Sequence, residues 1–297
     1  MHKKMIYFIL VILAVVASLI IYELTLPTTT KVEKEGLTII VTFPSLKPDI
    51  EEIKCDEDSV IALVPEGVDP HDYQLSPKDV QLLKRASIII STGHAPFESQ
   101  IKSLIMQGEI NAELIEIPSI PGITIKKNPI IGSPNYHMPI YDPYNYIVYI
   151  NFVSTKLSEK RPECNTIYKE KTQNIVSKIE KIIEETKKYN ITAAAASPLA
   201  QYAVEWAGVK IKYLFQKEHN MPATPEDIAS IERAAAKGEI GLIISLRVKE
   251  KTPILVKAEE IAKDKNIPII YIPSPLELTP TYVKISEVAD QLNKIKS

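Results

Sequence analysis

The same series of features occurs twice in this chain, on either side of a long segment, Pro162 to Lys188, that has no glycine and no internal proline. The first series reads Thr42-Phe43-Pro44-Ser45-Leu46, an apolar run to Val64, His71, and then Ser76-Pro77-Lys78-Asp79. The second reads Ala195-Ala196-Ser197-Pro198-Leu199, an apolar run to Phe215, His219, and then Thr224-Pro225-Glu226-Asp227. In both, a histidine stands five residues before a Ser or Thr suited to cap a helix opened by proline. Apolar runs alternate with helical patterns throughout, as βα units do. Strands are expected over 37–43, 59–64, 88–91 and 113–117, and again over 191–196, 209–215, 242–246 and 267–272. Between the series, Ile167, Ile175, Val176, Ile179, Ile182 and Ile183 repeat at helical spacing. The pattern predicts an α/β chain of two similar βα lobes, residues 37–160 and 190–297, joined by a stiff linking helix over 161–189. Ligands of such sheets bind beyond the carboxyl ends of the strands, here in the cleft between the lobes.

The N-terminus sets the compartment. Lys3 and Lys4 precede Met5 to Tyr22, which carries no charge, and Glu23 ends the run. A signal-peptide core is about 7–15 residues and a spanning helix about 17–25, so residues 1–26 read as an uncleaved membrane anchor with its N-terminus in the cytoplasm. No cysteine follows the run, so no lipid attachment site is present there. Residues 27–36, with three threonines and alternating charges, read as a tether. Everything beyond is then extracytoplasmic. Cys55 and Cys164, the two cysteines of the chain, are placed either as a disulfide or as two free thiols, since their spacing fits no compact metal motif.

A net charge of −2 gives no reason to expect a nucleic-acid partner, and with nine glycines and no G-x-x-x-x-G-K or G-x-G-x-x-G pattern a phosphate-cradling loop is not expected. No H-E-x-x-H or paired acidic motif points to hydrolysis. Apart from His2, the histidines are His71, His94, His137 and His219, each at a strand end or in the long irregular stretch from Pro118 to Tyr141. Imidazole suits zinc and the late first-row metals.

Val64-Pro65-Glu66-Gly67-Val68-Asp69-Pro70-His71 resembles the metal-binding loop of the zinc/manganese solute-binding proteins of ABC transporters. His137 with Asp142-Pro143 resembles that family's second motif, and the likeness extends over roughly 38–295. It implies an extracytoplasmic binding subunit, not an enzyme, which captures zinc or manganese in the cleft and delivers it to an ABC permease in the same membrane. His71 and His137 are carried over as metal ligands. Two departures stand out. His137 lies five residues before Asp142 where the family has four, and the C-lobe ligand positions match Ser197 and a point near Ser274. Three readings follow: His219, with His94 as a further candidate, supplies the missing donors; water or a metal-carrying chelate fills the open positions; or the site has decayed and the fold serves adhesion or another ligand. A metallohydrolase is the rival from another class. The repeat selects His219 as the third ligand. Imidazoles must lose their protons to bind, so affinity is expected to fall below about pH 6.5.

The anchor is tested directly. The protein is expected to stay with membranes after a high-salt wash; a mature N-terminus between Ser18 and Thr30 would show a cleaved signal instead.

Overall fold

The computed structural model describes residues 5–8, 12–18, 36–218 and 221–295. Four strands from the first series, β1 (Thr38–Val41), β2 (Ser59–Ala62), β3 (Ile88–Ser91) and β4 (Glu113–Glu116), form a parallel sheet in the order β2-β1-β3-β4. In the second series β5 (Ile191–Ala195) and β6 (Val209–Leu214) are followed by a small hairpin, β7 (Gln216–Glu218) with β8 (Met221–Pro222), and then by β9 (Leu242–Arg247) and β10 (Ile269–Pro273). The second sheet is also parallel, in the order β6-β5-β9-β10. Counted within each half, both orders are 2-1-3-4, so the repeat in the sequence is a repeat of topology. The central strands are fully buried runs such as Ile88-Ile89-Ile90, as expected of parallel sheets covered on both faces.

Helix α1 (Lys47–Ile53) follows β1, and α2 (Pro77–Leu83) follows β2. Ser76 caps α2 by accepting from the Asp79 N–H, and Asp79 returns the bond to Ser76 N. Thr224 and Asp227 repeat this capping box in the other half. Helix α3 (Pro96–Met106) has no counterpart in the expected elements. Pro96 in its first turn, Glu98 accepting from Ala95 N, and buried Phe97 and Ile101 account for it. Helix α4 (Pro143–Lys160) starts at Asp142, which accepts from Tyr144 N and Asn145 N.

The linking segment forms α5 (Asn165–Glu185), 21 residues, shorter than the expected span. A 3-10 turn occupies Pro162–Cys164 before it, and the chain turns extended at Thr186, whose hydroxyl bonds the Ile182 carbonyl. Cys55 and Cys164 are disulfide-bonded, Cα atoms 6.2 Å apart, which resolves the open alternative and ties the end of α1 to the start of α5. One apolar cluster runs from Ile39 through Tyr149 of α4 and Tyr168 of α5 to Ala195 and Ile244, so the two sheets share a core. A smaller cluster on the outer side of the second sheet holds Ala194, Phe215, Ile231 and Ile261. Residues 5–8 and 12–18 are helical; the rest of the anchor of residues 1–26, and the tether up to residue 35, lie outside the described residues. No helix among the described residues is long and apolar enough to cross a membrane.

The last helix of the second half, α6 (Thr281–Lys294), is fixed to the first half by Asp49 of α1. Asp49 is fully buried and accepts from the Thr281 backbone N–H at 2.6 Å, the Thr281 hydroxyl at 2.7 Å and the Tyr146 hydroxyl at 3.0 Å. Burial raises its pKa to about 6, against the pull of those donors and of the Lys284 charge. A carboxyl whose folded pKa lies above its unfolded value binds its proton more tightly when folded. Its stabilising contribution is therefore present below the unfolded pKa and is lost as pH rises toward the folded one. We expect the stability of the wild type relative to Asp49→Asn to fall by about 2 kcal/mol between pH 4 and 7, read by urea unfolding. A pH-independent difference would exclude the raised pKa.

Candidate metal centre

His71 lies in the turn after β2, His94 just beyond β3, and His137 at the end of the irregular strap that crosses from β4 to α4. Their rings converge beside Phe43, which follows β1, where the strand order reverses between β1 and β3. Each offers a ring nitrogen, and the three nitrogens all lie within 4.8 Å of one another. The expected third ligand, His219, lies outside the described residues; among those described, His94 stands with His71 and His137.

Two of the rings meet a carboxylate, and the third is placed through its backbone. Asp69 Oδ1 accepts from the His71 backbone N–H at 2.9 Å and meets its Nδ1 at 2.8 Å, which leaves Nε2 facing His94 Nε2 at 3.1 Å. The aspartate of the Asp69-Pro70-His71 loop thus shapes the turn and orients the ring, as carboxylates behind metal-bound histidines do. His94 follows Gly93, whose φ of +75° turns the chain sharply at the strand end, where a Cβ would meet the Pro118 ring at 3.0 Å. The turn is gathered onto Glu98, 4% exposed, which accepts from the hydroxyls of Thr42, Ser91 and Thr92 and from the backbone N–H groups of Thr92, His94 and Ala95. Burial, with the neighbouring His137 second, pushes the His94 pKa down to about 4, so it is neutral, with a free lone pair, near pH 7.

His137 is placed by the strap. Asn135 is fully buried; its Oδ1 accepts from His137 N, and its Nδ2 donates to the Pro198 carbonyl and Gln201 Oε1 of the other half. Met138, at φ +51°, then reverses the chain into the turn before α4. His137 Nε2 lies 2.7 Å from Glu218 Oε2 on the β7–β8 hairpin. Asn128 of the strap donates to Glu218 Oε1 at 3.3 Å and to the Lys217 carbonyl at 2.7 Å. Among the described residues, Glu218 is thus a C-lobe group in contact with His137. The histidine spacing of the repeat drew attention to the residue beside it, and a carboxylate 81 residues away in sequence carries no local signal of this contact.

Two cavities meet at the rings. One, about 420 Å³, opens outward past Asp72, Pro96, Ser133 and Tyr136. The other, about 180 Å³, lies toward the C-lobe and is bounded by Phe43, Ser197, Leu199, Gln216 and Leu246. Ser197 lines that space. Ser274 instead closes a turn of its own, its N–H donating to Glu277 and its hydroxyl accepting from Leu276 N. A second group of suitable residues, Cys55, Glu57 and Cys164, has its cysteines in the disulfide.

Two topologically equivalent parallel sheets, with a converging set of imidazoles beyond the carboxyl ends of the first, are the architecture of a two-lobed metal-binding protein. The chain matches the family model of ZnuA, zinc-uptake complex component A periplasmic, over residues 39–295, and belongs to that family. It is 23% identical over 257 residues to the manganese ABC transporter substrate-binding lipoprotein PsaA of Streptococcus pneumoniae, covering 82% of this chain and 81% of PsaA. It is 25% identical over 259 residues to the iron ABC transporter substrate-binding lipoprotein MtsA of Streptococcus pyogenes serotype M1, covering 82% and 81%. A crystal structure of ZnuA superposes with a TM-score of 0.69 at 17% identity, over 87% of this chain and 98% of that one.

Glu98 supplies the test of this geometry. Glu98→Gln sets an amide donor against groups that are themselves donors, and is expected to cost about 2 kcal/mol in urea unfolding and to loosen the His94 turn. An unchanged midpoint would show that the turn does not depend on Glu98.

Proposed function

We propose that this chain is the extracytoplasmic substrate-binding subunit of a metal ABC importer, and that it holds a divalent cation on His71, His94 and His137. The observation that carries this is the convergence of three imidazole nitrogens within 4.8 Å of one another, two of the rings backed by the carboxylates Asp69 and Glu218. Three neutral nitrogen donors fit the tetrahedral, nitrogen-rich coordination of zinc better than the oxygen-rich shell preferred by manganese. Zinc is therefore the cargo we assign, although the relatives named above bear the names of manganese and iron proteins. Glu218 supports His137 from the C-lobe, in the way a carboxylate fixes the orientation of a ligating ring.

The membrane arrangement follows the sequence reading. Residues 1–26 anchor the chain, 27–36 tether it, and the lobes of residues 37–160 and 190–297, with the linking segment 161–189, work outside the cytoplasm beside a permease. The Cys55–Cys164 disulfide accords with an oxidising compartment. Binding and release need no bond-making chemistry, so no catalytic residue is assigned.

Zinc titration of the full-length chain tests the ligand set. His71→Ala, His94→Ala and His137→Ala are each expected to weaken zinc by tenfold or more, about 1.4 kcal/mol, and Glu218→Gln by about tenfold. Unchanged affinity in all three histidine variants would overturn the assignment. His219→Ala, run alongside, shows whether a fourth imidazole joins: a loss equal to the others would add it to the set.

A further inference from the structure

The imidazoles border two spaces, and a hydrated cation meets different walls in each. The inner one, about 180 Å³, is bounded by Phe43, Met138, Leu199 and Leu246, and a charge beside such apolar walls is costly. The outer one, about 420 Å³, is framed by Asp72 of the His71 turn, by Pro96 at the start of α3, and by Ser133, Pro134 and Tyr136 of the strap. We propose that the cation enters through this outer mouth, and that Asp72 is the carboxylate that draws it in. This rests on the reading of His71, His94 and His137 as the metal site.

The charges around the rings single out Asp72. Asp69 is held against the His71 ring, Glu218 against His137 and Asn128, and Glu98 is buried under the His94 turn. These three belong to the frame of the site. Glu66, on the same loop as Asp69, lines a separate groove with Pro44 and Leu278. Asp72 is exposed and lines the outer mouth, and among the described residues its side chain has no hydrogen bond or ion pair. Of the cations nearby, Lys217 is paired with Asp227 at 2.6 Å and Lys126 with Glu205 at 3.2 Å. Lys127, whose backbone bridges to Pro134, is the charge to be set against Asp72. A charge on the rim of a low-dielectric opening acts on encounter, because the walls focus its field on the path of the incoming ion. The walls themselves give the second argument. Apart from Glu218, the described lining of the mouth belongs to the first half and its strap. An ion can therefore reach the rings while the two halves stay joined.

The test is stopped-flow mixing of zinc with the full-length chain, a zinc-sensitive dye reporting the ion left in solution. Association and dissociation rate constants are read at about 10 mM salt, where the Debye length is about 30 Å, and at about 1 M, where it is about 3 Å. Asp72→Asn is expected to slow association about threefold at low salt, and Asp72→Lys, which changes the charge twice as far, roughly tenfold. Both differences vanish at high salt, and dissociation is unchanged. Ser133→Trp, which narrows the mouth, is expected to slow association and dissociation by the same factor, with the affinity kept. Equal low-salt association rates in the wild type and both Asp72 variants overturn the role of Asp72. So does a loss confined to dissociation, which would make Asp72 a ligand. Unaltered rates in Ser133→Trp overturn the outer route. In each of these cases zinc still binds and the metal site stands, whereas no zinc binding by the wild type removes both readings.

Discussion

A carboxylate that water cannot reach must be surrounded by donors, and in this protein that requirement fixes distant segments to one another. Asp58 accepts from Leu37 N, Cys55 N, the Arg161 guanidinium and the Tyr168 hydroxyl, and so joins the entry of β1, the disulfide and the start of α5. Asp49 joins α1 to α4 and α6. Glu98 gathers the ends of β1 and β3 and the turn that carries His94. Each of the three collects bonds from residues far apart in sequence, so the register of strands, helices and site is set at a few buried points. The metal centre inherits its geometry from the last of them. Removing one partner from such a point leaves a buried charge short of donors, which is why these positions weigh more on the fold than any surface ion pair.

The parts of this arrangement that were legible in the sequence are those with a local signature. The capped Ser-Pro and Thr-Pro helix starts, the apolar strand runs and the Asp69-Pro70-His71 loop all depend on neighbours a few residues away. The 2-1-3-4 order in both halves gives the repeated series its physical meaning. The helix over Pro96–Met106 is absent from the expected elements, although its proline start and Glu98 are local signals. The partnerships of Glu218 with His137 and of Asn135 with Pro198 and Gln201 span more than sixty residues, and no periodicity encodes them. The irregular stretch before α4 is irregular in the structure as well: its own turn bonds, such as Asn128 N to the Ser133 carbonyl and Asn135 N to the Lys126 carbonyl, are joined by bonds to the other half.

That strap also shows why the expected C-lobe donors are not needed to hold the two halves together. Asn128, Asn135 and Gln201, with the Tyr202 hydroxyl accepting from Lys126 N, bind the strap to the second half through neutral amide and hydroxyl groups. Tyr141 and Asp49 add contacts to Pro273 and Thr281. The sides of the cleft are therefore joined whether or not an ion is present, and Ser197 and Ser274 can stand where a ligand would otherwise be expected.

The same asymmetry bears on release. If the ion sits on His71, His94 and His137, all its protein donors belong to the first half and its strap, and moving the second half away does not by itself dismantle them. What the second half holds is the back of one ring, through Glu218, and the position of the strap, through Pro198 and Gln201. A partner that displaced the β7–β8 hairpin would take the carboxylate from His137 and the anchor from Asn128 together. The ring would lose its orienting partner while His71 kept Asp69 and His94 kept its Glu98-bound turn. Of the three donors, His137 is thus the one whose grip depends on contact between the lobes, and a change in their contact reaches the ion through it.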